Sequence, residues 1–301
     1  LEKLTSDFED SEFTIALTGS GAMSASRFLD LPFIQEVVSC KRAVEKYIPK
    51  TDVVIELGGE DAKIIYFGKS IEERMNGTCA GGTGAFIDQM ASLLNTDSSG
   101  LNELAKKHKM IYPIASRCGV FAKTDVQPLL NEGADKEDIA ASIFQAVVNQ
   151  TISGLACGRP IRGNVAFLGG PLNYLSELRQ RFIETLHLTP ESTIVPTDAH
   201  LLVAKGAALD SLDAKPISTE KLKAKIEMLK ASHDNTSKPI KPLFVTDPEY
   251  DEFKSRHNKD KVPKGDLANF KGDCFIGIDA GSTTTKLVVT DSEDKLLYSL
   301  Y

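Results

Sequence analysis

Short apolar runs rich in β-branched residues punctuate the first two thirds of the chain. Phe13 to Leu17 (FTIAL), Val53 to Leu57 (VVIEL), Ala62 to Phe67 (AKIIYF) and Val165 to Leu168 (VAFL) have the length and composition of buried strands. Helical segments lie between them, including Ile139 to Ala156 and Tyr174 to Leu186, so residues 1–212 alternate strand and helix in an α/β pattern. From Asp213 to Lys271 the pattern changes. Lysines, polar runs such as Ser232 to Lys238, and prolines at 216, 239, 242, 248 and 263 predict a charged linker. Within it Thr219 to Ala231 predicts one polar helix capped by Ser218 or Thr219, with little apolar surface to anchor it. Residues 272–301 predict a strand, a small-residue turn and a second strand, beginning at Cys274. The closing KLLYSLY reads as a strand stopped in mid-fold and position 1 is not Met, so a piece of a longer polypeptide is expected.

Two of the predicted turns carry phosphate-binding chemistry. Phe275 to Val289 (FIGIDAGSTTTKLVV) places Asp279 at the end of a strand and Gly281, Ser282 and Thr283 in the turn, with Lys286 on the strand that follows. So small a turn lets backbone N–H groups approach phosphate oxygens. The hydroxyls add donors, Lys286 adds charge, and Asp279 is placed to hold Mg²⁺ through water. Asp52 to Tyr66 (DVVIELGGEDAKIIY) repeats the arrangement with Glu56, Gly58, Gly59, Asp61 and Lys63. Either turn alone is also compatible with a plain hairpin; the pair together suggests a clamp on a triphosphate, with Glu56 and Asp279 flanking the attacking water. A third glycine pair, Gly169 and Gly170 in FLGGP, follows a strand and could pass under an adenine or ribose. Thr197 to Leu209 then opens at a capping Asp198 and runs into a small-residue helix.

These four elements resemble the sugar kinase, Hsp70 and actin superfamily of ATPases, over most of residues 13–212 and 274–301. The resemblance implies an α/β, actin-like (ribonuclease H-like) fold with two lobes around a nucleotide cleft. In that superfamily the DxGST hairpin opens the chain, whereas here it closes it. Residues 272–301 therefore either begin a second, tandem ATPase module or replace the hairpin missing from residues 1–212.

Five cysteines, at 40, 79, 118, 157 and 274, include no CxxC pair, which disfavours a disulfide framework. Cys79 precedes a glycine-rich helix start (Gly81, Gly82, Gly84), and Cys118 also stands at a predicted element start. Spacing alone reads these as ordinary thiols. The strings NGTCAGGTG, SRCGVFAKTDV, IELGGEDAK and FLGGP, however, resemble the activator ATPases of 2-hydroxyacyl-CoA dehydratases and the ATPase subunits of benzoyl-CoA reductases, the BadF/BadG/BcrA/BcrD type. That resemblance implies that Cys79 and Cys118 from two subunits jointly hold one [4Fe-4S] cluster, with symmetry supplying four ligands. It further implies ATP and Mg²⁺ as cofactors, a homodimer or a tandem-module pair, and electron delivery from a ferredoxin or flavodoxin to a CoA-ester dehydratase or reductase. Cys40 reads as a core or partly exposed thiol, Cys157 as structural, and Cys274 as core.

Composition removes other readings. A net charge of −7 disfavours a nucleic-acid binder, and no apolar run approaches the roughly 18 to 20 residues of a membrane span, so a cytoplasmic protein is expected. The histidines lack HxxxH and HxH spacing, which disfavours zinc, and no GxSxG nucleophile turn occurs. A small-molecule kinase of the same superfamily and a non-catalytic scaffold remain as alternatives.

Overall fold

The computed structural model of the protein describes residues 1–68, 70–77, 81–116, 118–233, 242–281 and 284–301, the side chains of 231–233 excepted. Two compact units divide the chain, Leu1–Asp234 and Asn235–Tyr301.

The first unit contains α1 (Glu2–Asp7), β1 (Glu12–Phe13), α2 (Ala22–Leu29), α3 (Glu36–Tyr47), β2 (Val53–Leu57), β3 (Ala62–Tyr66), β4 (Glu72–Met75), α4 (Gly84–Leu93), α5 (Ser98–Ala105), α6 (Gly119–Asn131) and α7 (Lys136–Asn149). It continues with β5 (Val165–Leu168), α8 (Gly170–Tyr174), α9 (Ser176–Thr185), β6 (Thr193–Ile194), α10 (Leu202–Asp210), β7 (Ile217–Ser218) and α11 (Thr219–His233). Five strands form one sheet in the order β4-β3-β2-β5-β6. β2 is antiparallel to β3 and parallel to β5, with Val53 opposite Tyr66 on one side and Val165 on the other. Alternate residues explain the continuous apolar runs: Val53, Ile55 and Leu57 join the large core with α4, α5, α7 and α9, while Val54, Ile65 and Ala166 pack on Cys40, Ala43 and Val44 of α3. A strand covered on both faces has no polar side to show.

The central helix α7 widens into a π turn over Gln150–Ala156. Among the described residues the stretch Lys136–Ala156 is long and apolar enough to cross a membrane, yet most of it is buried within the fold, with Ile139, Ile143, Phe144 and Val147 in the core.

Four expectations are corrected. The strand at 13–17 shrinks to β1, because its partner β7 is only two residues long and leads directly into α11. Leu17 makes a single parallel bridge to Phe33. The helix at 174–186 is two helices, since buried Leu175 adopts an extended backbone between α8 and α9. Residues 213–233 are not linker but part of the first unit: α11 buries Leu222 and Ile226, packs on α1 and α2, and Thr219 Oγ1 donates to the Phe8 carbonyl at 2.8 Å. Asp198 makes no capping bond; its carboxylate pairs with Lys205 instead.

The second unit holds α12 (Asp247–His257), started by a Thr246–Glu249 capping box, and the antiparallel sheet β8 (Phe275–Ala280), β9 (Thr285–Thr290) and β10 (Leu296–Leu300). The capping box is legible in the sequence as T-D-P-E and makes part of the expected linker helical. Cys274 and β8 were expected in a core. Cys274 is exposed, and Phe275, Ile276 and Ile278 are more than half exposed, because no described residue of this unit covers them.

Candidate nucleotide site

The turn between β2 and β3 is closed by the Leu57–Ala62 pair and by Gly58 N–H donating to the Asp61 carbonyl at 2.7 Å. The carbonyls of Gly58 and Gly59 then accept from Gly84 N–H at 2.9 Å and Ala85 N–H at 2.7 Å, the first two residues of α4. A Cβ on Gly84 would stand 3.3 Å from Gly59 Cα, so this approach favours the smallest side chain. On the other side of β2, Gly169 has φ +87° and a Cβ there would lie 2.0 Å from the Leu57 carbonyl oxygen, which only glycine permits. The turn after β2, the start of α4 and the start of α8 thereby converge. Gly59, Gly84, Ala85, Asp88, Gly170 and Tyr174 are among the residues that line a cavity of about 540 Å³ between them. Of the glycines predicted from sequence, Gly59, Gly84 and Gly170 reach this cavity directly. Gly58 and Gly169 shape its walls. Gly81 and Gly82 are buried just before α4, with Gly82 at φ +83° against the Gln150 side chain.

Glu56 and Lys63 face each other across the same hairpin. Lys63 was expected to meet a cofactor. Its ammonium lies in the protein interior, hydrogen-bonded to Glu36 and 4.0 Å from Glu56 Oε1. Glu56 Oε2 is buried and has no hydrogen-bond partner. Burial raises the proton affinity of Glu56; Lys63 opposes that, while Glu36, Glu73 and Asp61 push it further up. Lys63 is raised as well: burial works against its charge, and Glu56 and Glu36 together outweigh it. Burial, with Glu56 adding to it, pushes the neighbouring Cys40 thiol far up, so this residue is an inert core thiol. Sequence reasoning missed Glu36. The available signal was its place one turn before Cys40 and two before Val44 on the buried stripe of α3.

The hairpin of the second unit repeats this geometry. Asp279 is opposite Lys286, the Ala280–Thr285 pair closes the turn, and Gly281 N–H donates to the Thr284 carbonyl at 3.0 Å. Lys286 and Asp279 form an exposed ion pair at 3.0 Å. Ser282 and Thr283 lie outside the described residues.

Residues 1–211 match the BadF/BadG/BcrA/BcrD ATPase family. The protein belongs to that family. It is similar to the 2-hydroxyisocaproyl-CoA dehydratase activator of Clostridioides difficile, 34% identical over 215 residues, 69% of this chain and 77% of the relative. It is also similar to the (R)-2-hydroxyglutaryl-CoA dehydratase activating ATPase of Acidaminococcus fermentans, 38% identical over 165 residues, 54% of this chain and 62% of the relative. Among solved structures, the activator of the 2-hydroxyisocaproyl-CoA dehydratase from Clostridium difficile with bound ADPNP superposes with a TM-score of 0.60 at 28% identity, covering 80% of this chain and 84% of that one. The fold is accordingly the α/β, actin-like ATPase class expected from the sequence.

In this BadF/BadG/BcrA/BcrD ATPase family member, Cys118 is the N-cap residue of α6, half-buried with extended backbone, and its own side chain makes no capping bond. The next residue, Gly119, lies against the Phe86 ring of α4, and Val120 and Phe121 beyond it are exposed. Cys79 lies outside the described residues, in the segment that leads into α4. Among the described residues no group of three or more His, Cys, Asp and Glu side chains could hold a metal ion. Cys157 is exposed in a left-handed conformation after the π turn, where its thiol donates to the Gly154 carbonyl.

Proposed function

We propose that the protein is an ATP-dependent activator of a CoA-ester dehydratase or reductase. ATP hydrolysis at the glycine-turn cavity would drive delivery of one low-potential electron through a [4Fe-4S] cluster held by Cys79 and Cys118 of two subunits or two tandem modules. One observation carries the reading. Helix α4 reaches toward both ends of the proposed process: its first N–H groups bond the Gly58–Gly59 turn, and its Phe86 ring lies where a Cβ on Gly119, next to Cys118, would meet it at 3.5 Å. In this proposal a change in the turn would be passed to the cysteine end through one helix.

The residues present suit such a cluster. Cys118 is a half-buried free thiol at the start of a 13-residue helix, where unpaired N–H groups and the helix dipole favour an anionic centre. When bound, the cluster supplies a one-electron carrier of low potential. The backbone turns around the cavity would hold the phosphates, and Glu56, beside the Gly58–Gly59 turn though not among the cavity's lining residues, is the proposed acceptor of the attacking water's proton. Asp279 in the second hairpin would help to hold Mg²⁺, which would balance phosphate charge. A ferredoxin or flavodoxin is the proposed electron donor, and the cytoplasm the proposed setting. Residues 272–301 are proposed to begin a second module, supported by strands that form a sheet of their own and by a hairpin that duplicates the first.

The test is anaerobic purification with iron, sulfide and electron paramagnetic resonance analysis. About four irons per two chains are expected in the wild type, and iron is lost in Cys79→Ala and Cys118→Ala without loss of nucleotide binding. Wild-type protein that binds nucleotide but takes up no iron and sulfide would remove the electron-transfer reading. ATP hydrolysis stimulated by a small hydroxyl compound would favour the kinase instead.

A further inference from the structure

The hairpin that leads into the nucleotide cavity carries a buried charge imbalance. Two carboxylates, Glu36 and Glu56, share the single ammonium of Lys63. The sharing is unequal: Lys63 is hydrogen-bonded to Glu36 and stands 4.0 Å from Glu56, beyond hydrogen-bond reach. Glu56 Oε2 is left buried without a partner. Glu56 stands two residues before Gly58, at the end of β2 where the turn begins. Glu36 comes from outside the sheet, from the first turn of α3.

We propose that Glu36 is a positioning residue for ATP hydrolysis: by holding the Lys63 ammonium it keeps that lysine from closing a hydrogen bond with Glu56, whose carboxylate remains free to take a proton. An unpaired buried oxygen is costly to the fold, and its persistence beside an available ammonium calls for a group that holds the ammonium elsewhere. Glu36 is that group. The charged and titratable groups facing Glu56 are Lys63 on β3, Glu36 and Cys40 on α3, Glu73 on β4 and Asp61 in the turn. Of these only Lys63 is cationic, so its position decides how readily Glu56 holds a proton. Glu36→Gln removes one negative charge and releases Lys63 toward Glu56; both changes favour ionised Glu56. Lys63→Gln does the reverse.

The proposal rests on the reading of Glu56 as the base, and the experiment separates the two. In full-length chain with ¹³C-labelled glutamate carboxyls, the Glu56 resonance is assigned by its absence in Glu56→Gln and titrated. Glu36→Gln is expected to lower the midpoint by about one pH unit or more, and Lys63→Gln to raise it. Glu36→Asp, which keeps the charge, returns it toward the wild-type value. The acid limb of the ATPase pH profile follows the midpoint, with KM for ATP unchanged. An unmoved or raised midpoint in Glu36→Gln overturns the proposal. Lys63→Gln decides independently if Glu36→Gln does not fold, a midpoint that fails to rise being the overturning result. Wild-type hydrolysis by Glu56→Gln would remove the base reading and the positioning role together. Lost hydrolysis in Glu56→Gln with an unmoved midpoint in Glu36→Gln would remove the positioning role alone.

Discussion

Gly169 admits no side chain. A methyl group there would meet the Leu57 carbonyl at 2.0 Å while the backbone stays at φ +87°, so both space and conformation forbid it. Gly169→Ala is expected to destabilise by about 3 kcal/mol or more, read as a lowered urea midpoint at constant slope. Gly170 next to it has open space and is expected to accept Ala with little effect on folding. At Glu56 the sign of the pH dependence follows from its raised proton affinity, above the ordinary value of 4.5. The folded state binds this proton more tightly than the unfolded chain does. Its contribution is therefore fully present below pH 4.5 and is lost as pH rises through the folded value. Glu56→Gln should remove that decline, so the variant gains stability relative to wild type between pH 4.5 and neutrality in urea unfolding. The glycine pairs were legible because few residues can form such turns. The engagement of Lys63 was only half legible: six residues separate it from Glu56 in one hairpin, but Glu36 arrives from a helix outside the sheet, and no local spacing announces that.

Among the elements, β2, β3 and β5 were readable almost to the residue, since burial on both faces leaves a mostly apolar run, broken only by Glu56 in β2 and Lys63 in β3. The same signal misled at 13–17 and in β8. An apolar run states what a strand could bury; whether a partner or a covering layer exists is settled elsewhere in the chain. The converse error occurred at α11, whose apolar stripe is narrow, Leu222 and Ile226 one turn apart, yet meets two helices. Leu222→Ala is expected to cost about 2–4 kcal/mol, measured by urea unfolding of the first unit, whereas a surface linker would tolerate it within about 0.5 kcal/mol. The candidate cavity was partly readable in the same sense. Its three glycine turns were visible one by one, but Tyr174 and Asp88 enter through the packing of α8 and α4.

For the molecule as a whole, the division into Leu1–Asp234 and Asn235–Tyr301 predicts two separable unfolding events. Calorimetry is expected to resolve a larger transition that a chain of residues 1–233 reproduces alone, and a smaller one absent from it; a single coincident transition in both chains would argue against separate units. The larger unit carries a further consequence of its parallel pairing. Val53 and Val165 are neighbours in the sheet, yet the intervening chain must first supply two strands and four helices. During synthesis the hairpin that shapes the nucleotide turn leaves the ribosome long before the strand that completes its other edge. Until that strand arrives, β2 offers an open, apolar flank to any extended peptide nearby, which makes chaperone shielding of the nascent chain more valuable than in a protein built from local contacts.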